Sequence, residues 1–283
     1  MKRALVTGGT GFIGQALCPR LRATGHELTV LTRQSRPGLP QGVTRAVNRL
    51  EDVDPSSVDA VINLAGEPIA DARWTPARKQ LLERSRIALT EELLAWIGRS
   101  KTRPRLLLSA SAVGFYGDQG GRVLDEQSAP HVEYQHTLCR RWEEAALGAD
   151  DEADAKPHRA QPQRLGLGGP IGHGRQWMSW IHRDDVIGLI GWLLAREDAS
   201  GVYNATAPEP VDSRGFARTL GTVLHRPAVL PLPGPVLRLA LGEMSCLLLG
   251  GQRVLPARAL AEGYRFRYPS LEAALREATT SIA

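Results

Sequence analysis

Three glycines, at positions 8, 11 and 14 of the run Gly8-Gly9-Thr10-Gly11-Phe12-Ile13-Gly14, constrain this chain more than any other feature of it. They follow a short apolar run at residues 3–7. They precede a helical pattern with Ile13, Leu17 and Leu21 on one face, which closes near Gly25. Leu28-Thr29-Val30-Leu31 then reads as a second strand. Strand, glycine turn, helix and strand in about 30 residues make a βαβ unit. Each glycine has a separate task in such a unit. Gly8 permits the tight turn out of the strand, Gly11 lets backbone approach a pyrophosphate, and Gly14 lets the helix pack closely. The helix N-terminus offers free N–H groups and a positive dipole end to phosphates. Thr10, Phe12 and Ile13 complete the loop expected to hold a dinucleotide. Pro19 falls inside the helix and predicts a bend or an early break there.

The end of the second strand selects the coenzyme. A site for the unphosphorylated form usually places Asp or Glu there, on the ribose hydroxyls. Here the strand ends Leu31-Thr32-Arg33, and the next acid is Glu51. A guanidinium can stack on adenine and pair with a 2′-phosphate. Arg33, with Arg36 assisting, therefore points to NADP(H).

Further along, Val58–Leu64 reads as an apolar strand running into Ala65-Gly66. A long helix is expected over 76–100, a strand over Arg105–Leu108 and a helix over 134–147. Strands alternating with helices give an α/β fold, a Rossmann doubly wound parallel sheet covered on both faces. Past residue 206 the style changes. Helical pieces near 213–225, 235–249 and 270–280 surround a Pro-rich stretch at 227–235. This divides the chain into a coenzyme-binding domain, 1–206, and a smaller, mostly helical domain, 207–283.

Composition narrows the partners. The net charge is +5, but lysine occurs only at 2, 79, 101 and 156, and the arginines are scattered without interleaved aromatics. Nucleic-acid binding is not expected. Cys18, Cys139 and Cys246 are few, odd in number and far apart, which argues against a disulfide framework and against a metal site. The apolar tract Leu230–Leu249 is broken by prolines, Arg238 and Glu243, so no membrane span is expected. The start of the chain leaves no room for a signal peptide before the glycines. A cytoplasmic protein acting on a small molecule is the expectation. Both a monomer and a homodimer remain open.

Several longer motifs carry a resemblance. Asn63-Leu64-Ala65-Gly66 after the strand, Ser109-Ala110-Ser111 after the next, and Trp180-Ile181-His182-Arg183-Asp184-Asp185-Val186 resemble extended short-chain dehydrogenases/reductases. Gly66-Glu67-Pro68-Ile69-Ala70, Arg73-Trp74-Thr75, Ser111-Ala112-Val113-Gly114-Phe115-Tyr116-Gly117-Asp118 and Gly174-Arg175-Gln176-Trp177 are similar to an atypical branch of them, the epimerase-like YfcH family. Gly242-Glu243-Met244 and Gly250–Pro256 are similar to that family's C-terminal domain of unknown function. The resemblance implies the fold, NADP(H), and a coenzyme contact through Asn63, Leu64, Ala65 and Gly66. It leaves the substrate open.

The usual catalytic pair of the superfamily, Tyr-x-x-x-Lys, is absent. The residues four after each tyrosine are Gly120, Leu138, Ala207, Tyr268 and Glu272, and Cys139 falls where the lysine is expected. A tyrosine with a pKa near 10 is a poor base at neutral pH without such help. Ser111 and Tyr116 remain as catalytic candidates. Glu67, Arg73, Trp74, Arg175 and Trp177 remain as substrate-binding candidates. His182 and Asp185 read as anchors of the domain junction.

One stretch departs from the resemblance. Residues 148–163 contain no apolar residue larger than alanine. A buried parallel strand normally reads as a Val/Ile/Leu run. The sequence therefore predicts an irregular loop here, the loss of an internal sheet strand, and a strand at Val202-Tyr203-Asn204 without its neighbour. Two functions are left in contention: an epimerase-like NADP(H) oxidoreductase acting on a small polar or sugar-like substrate, and a non-catalytic NADP(H)-binding sensor.

Overall fold

The computed structural model of the chain describes residues 2–35, 37–148, 154–159 (backbone), 171–226 and 232–280. Arg36 lies outside the described residues, as do residues 149–153 and 160–163 of the polar stretch. The first half builds β1 (Arg3–Thr7), α1 (Phe12–Ala23), β2 (Glu27–Leu31), β3 (Arg45–Val47), β4 (Ala60–Asn63), α2 (Pro76–Glu83), α3 (Leu89–Gly98), β5 (Leu106–Ser109), β6 (Ser111–Ala112), β7 (Val123–Leu124) and α4 (Tyr134–Leu147). The second half adds β8 (Asp154–Arg159), β9 (Trp177–Met178), α5 (Arg183–Ala195), β10 (Gly201–Tyr203), β11 (Val211–Asp212), α6 (Ser213–Leu224), α7 (Gly234–Leu241), α8 (Cys246–Leu249), β12 (Arg253–Val254), α9 (Ala257–Ala261) and α10 (Leu271–Thr280).

The main sheet is parallel, in the order β3-β2-β1-β4-β5-β8-β10, with β6 paired to β8. β1 lies between β2 and β4, with Thr7 opposite both Leu31 and Asn63. Successive residues of a strand point to opposite faces. Ala4, Val6, Ile62, Leu106 and Leu108 accordingly face α1 and α5, in a core with Leu17, Leu21, Ile190 and Leu193. Leu5, Val61 and Leu107 face the other way, onto Leu93, Trp96 and Ile97 of α3. Both faces are covered, which is why these strands read as unbroken apolar runs.

Three expectations need adjustment. The 148–163 stretch does not leave the sheet short of a strand. Asp154–Arg159 forms β8, with Ala155 opposite both Leu108 and Gly201. A ladder is made by backbone N–H and C=O groups, which a polar sequence also carries. Pro157, which has no N–H to give, stands at the last position of the β10 ladder, opposite Tyr203, and β8 goes on to pair with β6 at His158 and Arg159. Second, Pro19 does not break α1, which continues to Ala23. Third, the long helix over 76–100 is interrupted by a π turn at Arg84–Ala88.

The C-terminal elements are woven into the first part. β11 pairs antiparallel with β9, and β12 pairs parallel with β7. His182 caps α5 by accepting from the Asp184 N–H, and its ring lies 4.1 Å from that of Tyr268. The buried Asp185 carboxylate accepts the Arg267 N–H at 2.6 Å and the Tyr268 N–H at 2.9 Å. These two residues anchor the C-terminal segment to α5. Asp185→Ala leaves two N–H groups without their carboxylate. It should lower unfolding free energy by about 2–3 kcal/mol, read as a shift of the urea midpoint.

Candidate functional site

The C-terminal ends of β1, β4 and β5 converge on one buried hydrogen-bond network. Thr7 Oγ1 donates to Asn63 Oδ1 at 2.6 Å. Asn63 Nδ2 donates to Thr90 Oγ1 at 3.0 Å and to Ser109 Oγ at 3.2 Å. Trp142 Nε1 donates to the same Thr90 oxygen at 3.1 Å, and Thr90 donates to the Arg86 carbonyl at 2.7 Å. Sequence reading placed Asn63 at the coenzyme, but its amide is used beneath the crevice floor, tying three strands to α3 and α4. Only the buried polar ends of otherwise apolar strands signalled this network.

Above that floor lies the glycine loop. Gly8 has φ +67°, and a Cβ there would lie 2.6 Å from the Leu64 carbonyl oxygen. A Cβ on Gly14 would come within 2.4 Å and 2.5 Å of the Gly9 and Gly8 oxygens. The third glycine thus relieves contact with the loop's own backbone. Gly11, at the N-cap of α1, brings no side-chain oxygen to the first-turn N–H groups, and that turn has no acidic residue. Gly11 and Phe12 are exposed, Thr10 is half-buried and Ile13 is buried. An open N-terminus with no carboxylate of its own fits a pyrophosphate.

Leu64, Ala65 and Gly66 border the loop on the β4 side and are half-buried. The Ala65 N–H reaches Thr7 Oγ1 at 3.3 Å. The π turn props up the backbone at Gly66 and Glu67. Arg86, buried and 5.4 Å from the Trp142 ring, donates from Nη2 to the Glu67 carbonyl at 2.7 Å and from Nη1 to the Leu82 carbonyl at 3.2 Å. A Cβ on Gly66 would lie 3.2 Å from the Arg86 Cζ, so the loop rests directly on this guanidinium. π turns are frequent at functional sites. Sequence periodicity hid this one, because the apolar face continues through it.

On the β2 side, Arg33 extends over the crevice. Its side chain is 82% exposed, and Nη2 contacts Glu67 Oε1 at 2.9 Å. The Glu67 carboxylate also lies 3.7 Å from Arg78 Nη1, and the Glu67 N–H donates to Ser85 Oγ at 3.0 Å.

The remaining candidates part company. Ser111 is buried and donates to Glu143 Oε1 at 2.5 Å. Tyr116 is buried with its hydroxyl on Asn204 Oδ1 at 2.9 Å, and burial pushes its pKa up. Asn204 in turn holds the Leu255 carbonyl and Glu126. Tyr116 therefore ties the turn after β6 to the segment after β10. Arg73 donates to the Ala240 and Leu239 carbonyls, both at 2.7 Å, at the C-terminus of α7. Trp74 is buried with Tyr134 and Met244. Arg175 is exposed, and Trp177 lies beneath Arg253 at 4.1 Å. These side chains bind different parts of the fold.

A cleft of about 230 Å³ opens elsewhere, lined by Asp118, Glu133, Gln135, Arg238, Cys246 and Gln252. It joins the N-terminus of α4 to α7 and α8. Gln135 Nε2 donates to Cys246 Sγ at 3.2 Å. Gln135, Cys139 and Glu143 recur at helical spacing on α4, so one face runs from this cleft toward Ser111. Burial pushes the Cys139 thiol up to about 12 and the Cys246 thiol up to about 11. A thiol at the position expected for lysine supplies no cation. Among the described residues no cluster suits a metal ion, and no helix is long and apolar enough to cross a membrane.

Comparison with known proteins agrees with this layout. The family model described as "NAD dependent epimerase/dehydratase family" matches residues 4–145. A domain of unknown function matches residues 232–278. Epimerase family protein YfhF of Bacillus subtilis is 39% identical over 293 residues, covering 96% of each chain. A chloroplastic Arabidopsis thaliana homolog of epimerase family protein SDR39U1 is 38% identical, covering 96% of this chain and 85% of its own. The crystal structure of human SDR39U1 with NADPH superposes with a TM-score of 0.87 at 34% identity, covering 97% of this chain and 98% of that one.

Gly14→Ala should cost about 1–3 kcal/mol in unfolding free energy, because two carbonyl oxygens must move. Arg86→Ala should cost about 2 kcal/mol by stripping a charged donor from two carbonyls. Denaturant unfolding checks both. The thiols give a pH signature. Cys18, Cys139 and Cys246 all lie above the ordinary thiol value of 9, chiefly through burial. The folded state keeps protons that the unfolded chain would release. Their contribution to stability is therefore full below pH 9 and declines as pH rises above it. At neutral pH, iodoacetamide should label none of the three in the native protein within minutes, read by intact mass.

Proposed function

Since the chain belongs to the NAD dependent epimerase/dehydratase family, we propose that it binds NADP(H) in the crevice above β1 and acts on a small polar substrate in the cytoplasm. The observation that carries the coenzyme choice is Arg33. It stands exposed just past β2, where a ribose-binding acid would mark the unphosphorylated coenzyme. The NADPH in the human relative's crystal structure supports the same choice.

The residues divide the work. N–H groups at the start of α1, opened by Gly8, Gly11 and Gly14, hold the pyrophosphate. Thr10, Phe12 and Ile13 form the loop's rim and base, and Leu64, Ala65 and Gly66 border the adenosine. Arg33 pairs with the 2′-phosphate. Hydride exchange is the chemistry the coenzyme supplies when bound. The cleft at Gln135 and Cys246 is the substrate site. Its mixture of carboxylates, amides and one guanidinium suits a hydroxyl-bearing molecule of monosaccharide size. Ser111 donates its own proton to Glu143, and its oxygen, which also shares a hydrogen bond with the Cys139 thiol, keeps a lone pair to accept from a substrate hydroxyl. Glu143 is then the next acceptor, so the pair takes the place of Tyr-x-x-x-Lys.

A second reading has its own support. Ser111 and Tyr116 are buried, and the Tyr116 hydroxyl is bound to Asn204. That arrangement favours a coenzyme-binding protein without turnover. Fluorescence titration with NADPH and NADH, followed by turnover across sugars and carbonyl compounds, separates the two. NADPH should bind more tightly than NADH by at least about tenfold, one bidentate charge-assisted contact. Turnover lost in Ser111→Ala with binding kept supports the catalytic reading. Preference for NADH would refute the coenzyme assignment.

A further inference from the structure

Glu67 occupies an unexpected place for a substrate-binding residue. Its carboxylate is 22% exposed and holds the guanidinium that the coenzyme's 2′-phosphate would use. Arg33 follows β2 and Glu67 follows β4, the two strands that flank β1. The ion pair therefore joins the two strand ends on either side of the glycine loop. We propose that Glu67 is an internal stand-in for the 2′-phosphate, a competing carboxylate that sets how strongly the protein prefers phosphorylated coenzyme. The proposal rests on the coenzyme reading above.

Three features carry it. Arg33 reaches Glu67 through an Nη2 hydrogen bond at 2.9 Å, and its side chain is otherwise largely in solvent, 82% exposed. Such an exposed pair is weak. A phosphate, carrying more charge and more acceptor oxygens, displaces a single carboxylate oxygen readily. Glu67 is also not stranded when Arg33 leaves. Arg78, 15% exposed, stays 3.7 Å away, and Ser85 and Arg86 hold the Glu67 backbone. The exchange thus swaps one partner of Arg33 without burying an unpaired charge. An unphosphorylated coenzyme offers Arg33 no phosphate in place of the Glu67 carboxylate, so the competition acts chiefly on NADPH.

The test is a cycle of Glu67→Gln, Arg33→Gln and the double variant, with dissociation constants for NADPH and NADH by fluorescence titration at low salt. Glutamine keeps the backbone bonds to Ser85 and Arg86, and circular dichroism confirms folding. Glu67→Gln should tighten NADPH about threefold to fivefold, the scale of an exposed ion pair, and leave NADH within about twofold. The gain should shrink at about 0.5 M salt and vanish in the Arg33→Gln background. Unchanged or weaker NADPH binding in Glu67→Gln would overturn the inference while leaving the coenzyme reading intact. A gain that survives Arg33→Gln would also overturn it, because Glu67 would then act on the phosphate directly. Failure of the wild type to bind NADPH would remove both.

Discussion

The fit of the β1–α1 loop against the end of β4 governs the rest of the molecule. Gly8 turns with positive φ where a Cβ would strike the Leu64 carbonyl. Directly below, Thr7 and Asn63 bond side chain to side chain. Asn63 then recruits Ser109 and Thr90, and Thr90 recruits Trp142. Three strand ends and two helices are fixed by groups that leave little polar capacity unspent. The crevice floor is consequently rigid, and the backbone N–H groups above it are aimed in advance at a phosphate. Preorganisation of that kind lowers the ordering cost of binding.

The α4 face and the C-terminal segment build the other half of the site. α4 carries Gln135 into the cleft and Glu143 to Ser111. The segment after residue 232 closes the cleft through Arg238, Cys246 and Gln252. It is tied down by Arg73 at the end of α7, by Lys79 on Glu243 at 2.7 Å, and by Trp74 against Met244. The Arg73-Trp74-Thr75 motif thus shapes this cleft from outside it. The glycine loop and the cleft come from different parts of the chain, joined by buried polar and aromatic contacts.

Much of the fold was legible because its signals are local. The glycine spacing, the apolar runs at 3–7 and 106–108, and the periodicity of α1 and α4 each follow from short-range rules. The place of Arg33 just past β2 was legible for the same reason. The Asn63 network was not, because its single hydrogen bonds join residues up to 56 apart, from Thr7 to Asn63. Arg73 and Trp74 looked like ligand contacts because charged and aromatic side chains after a strand often are. Only the tertiary fold shows α7 waiting for them. β8 was misread because composition reports side-chain burial, whereas the ladder depends on backbone groups.

A crystal structure of this protein with NADPH tests the account most directly. The pyrophosphate should lie on the N–H groups at the start of α1, with the 2′-phosphate on Arg33 and the nicotinamide facing the cleft beside Gln135. A coenzyme whose 2′-phosphate points into solvent, away from Arg33, or whose pyrophosphate lies off the glycine loop, would contradict it.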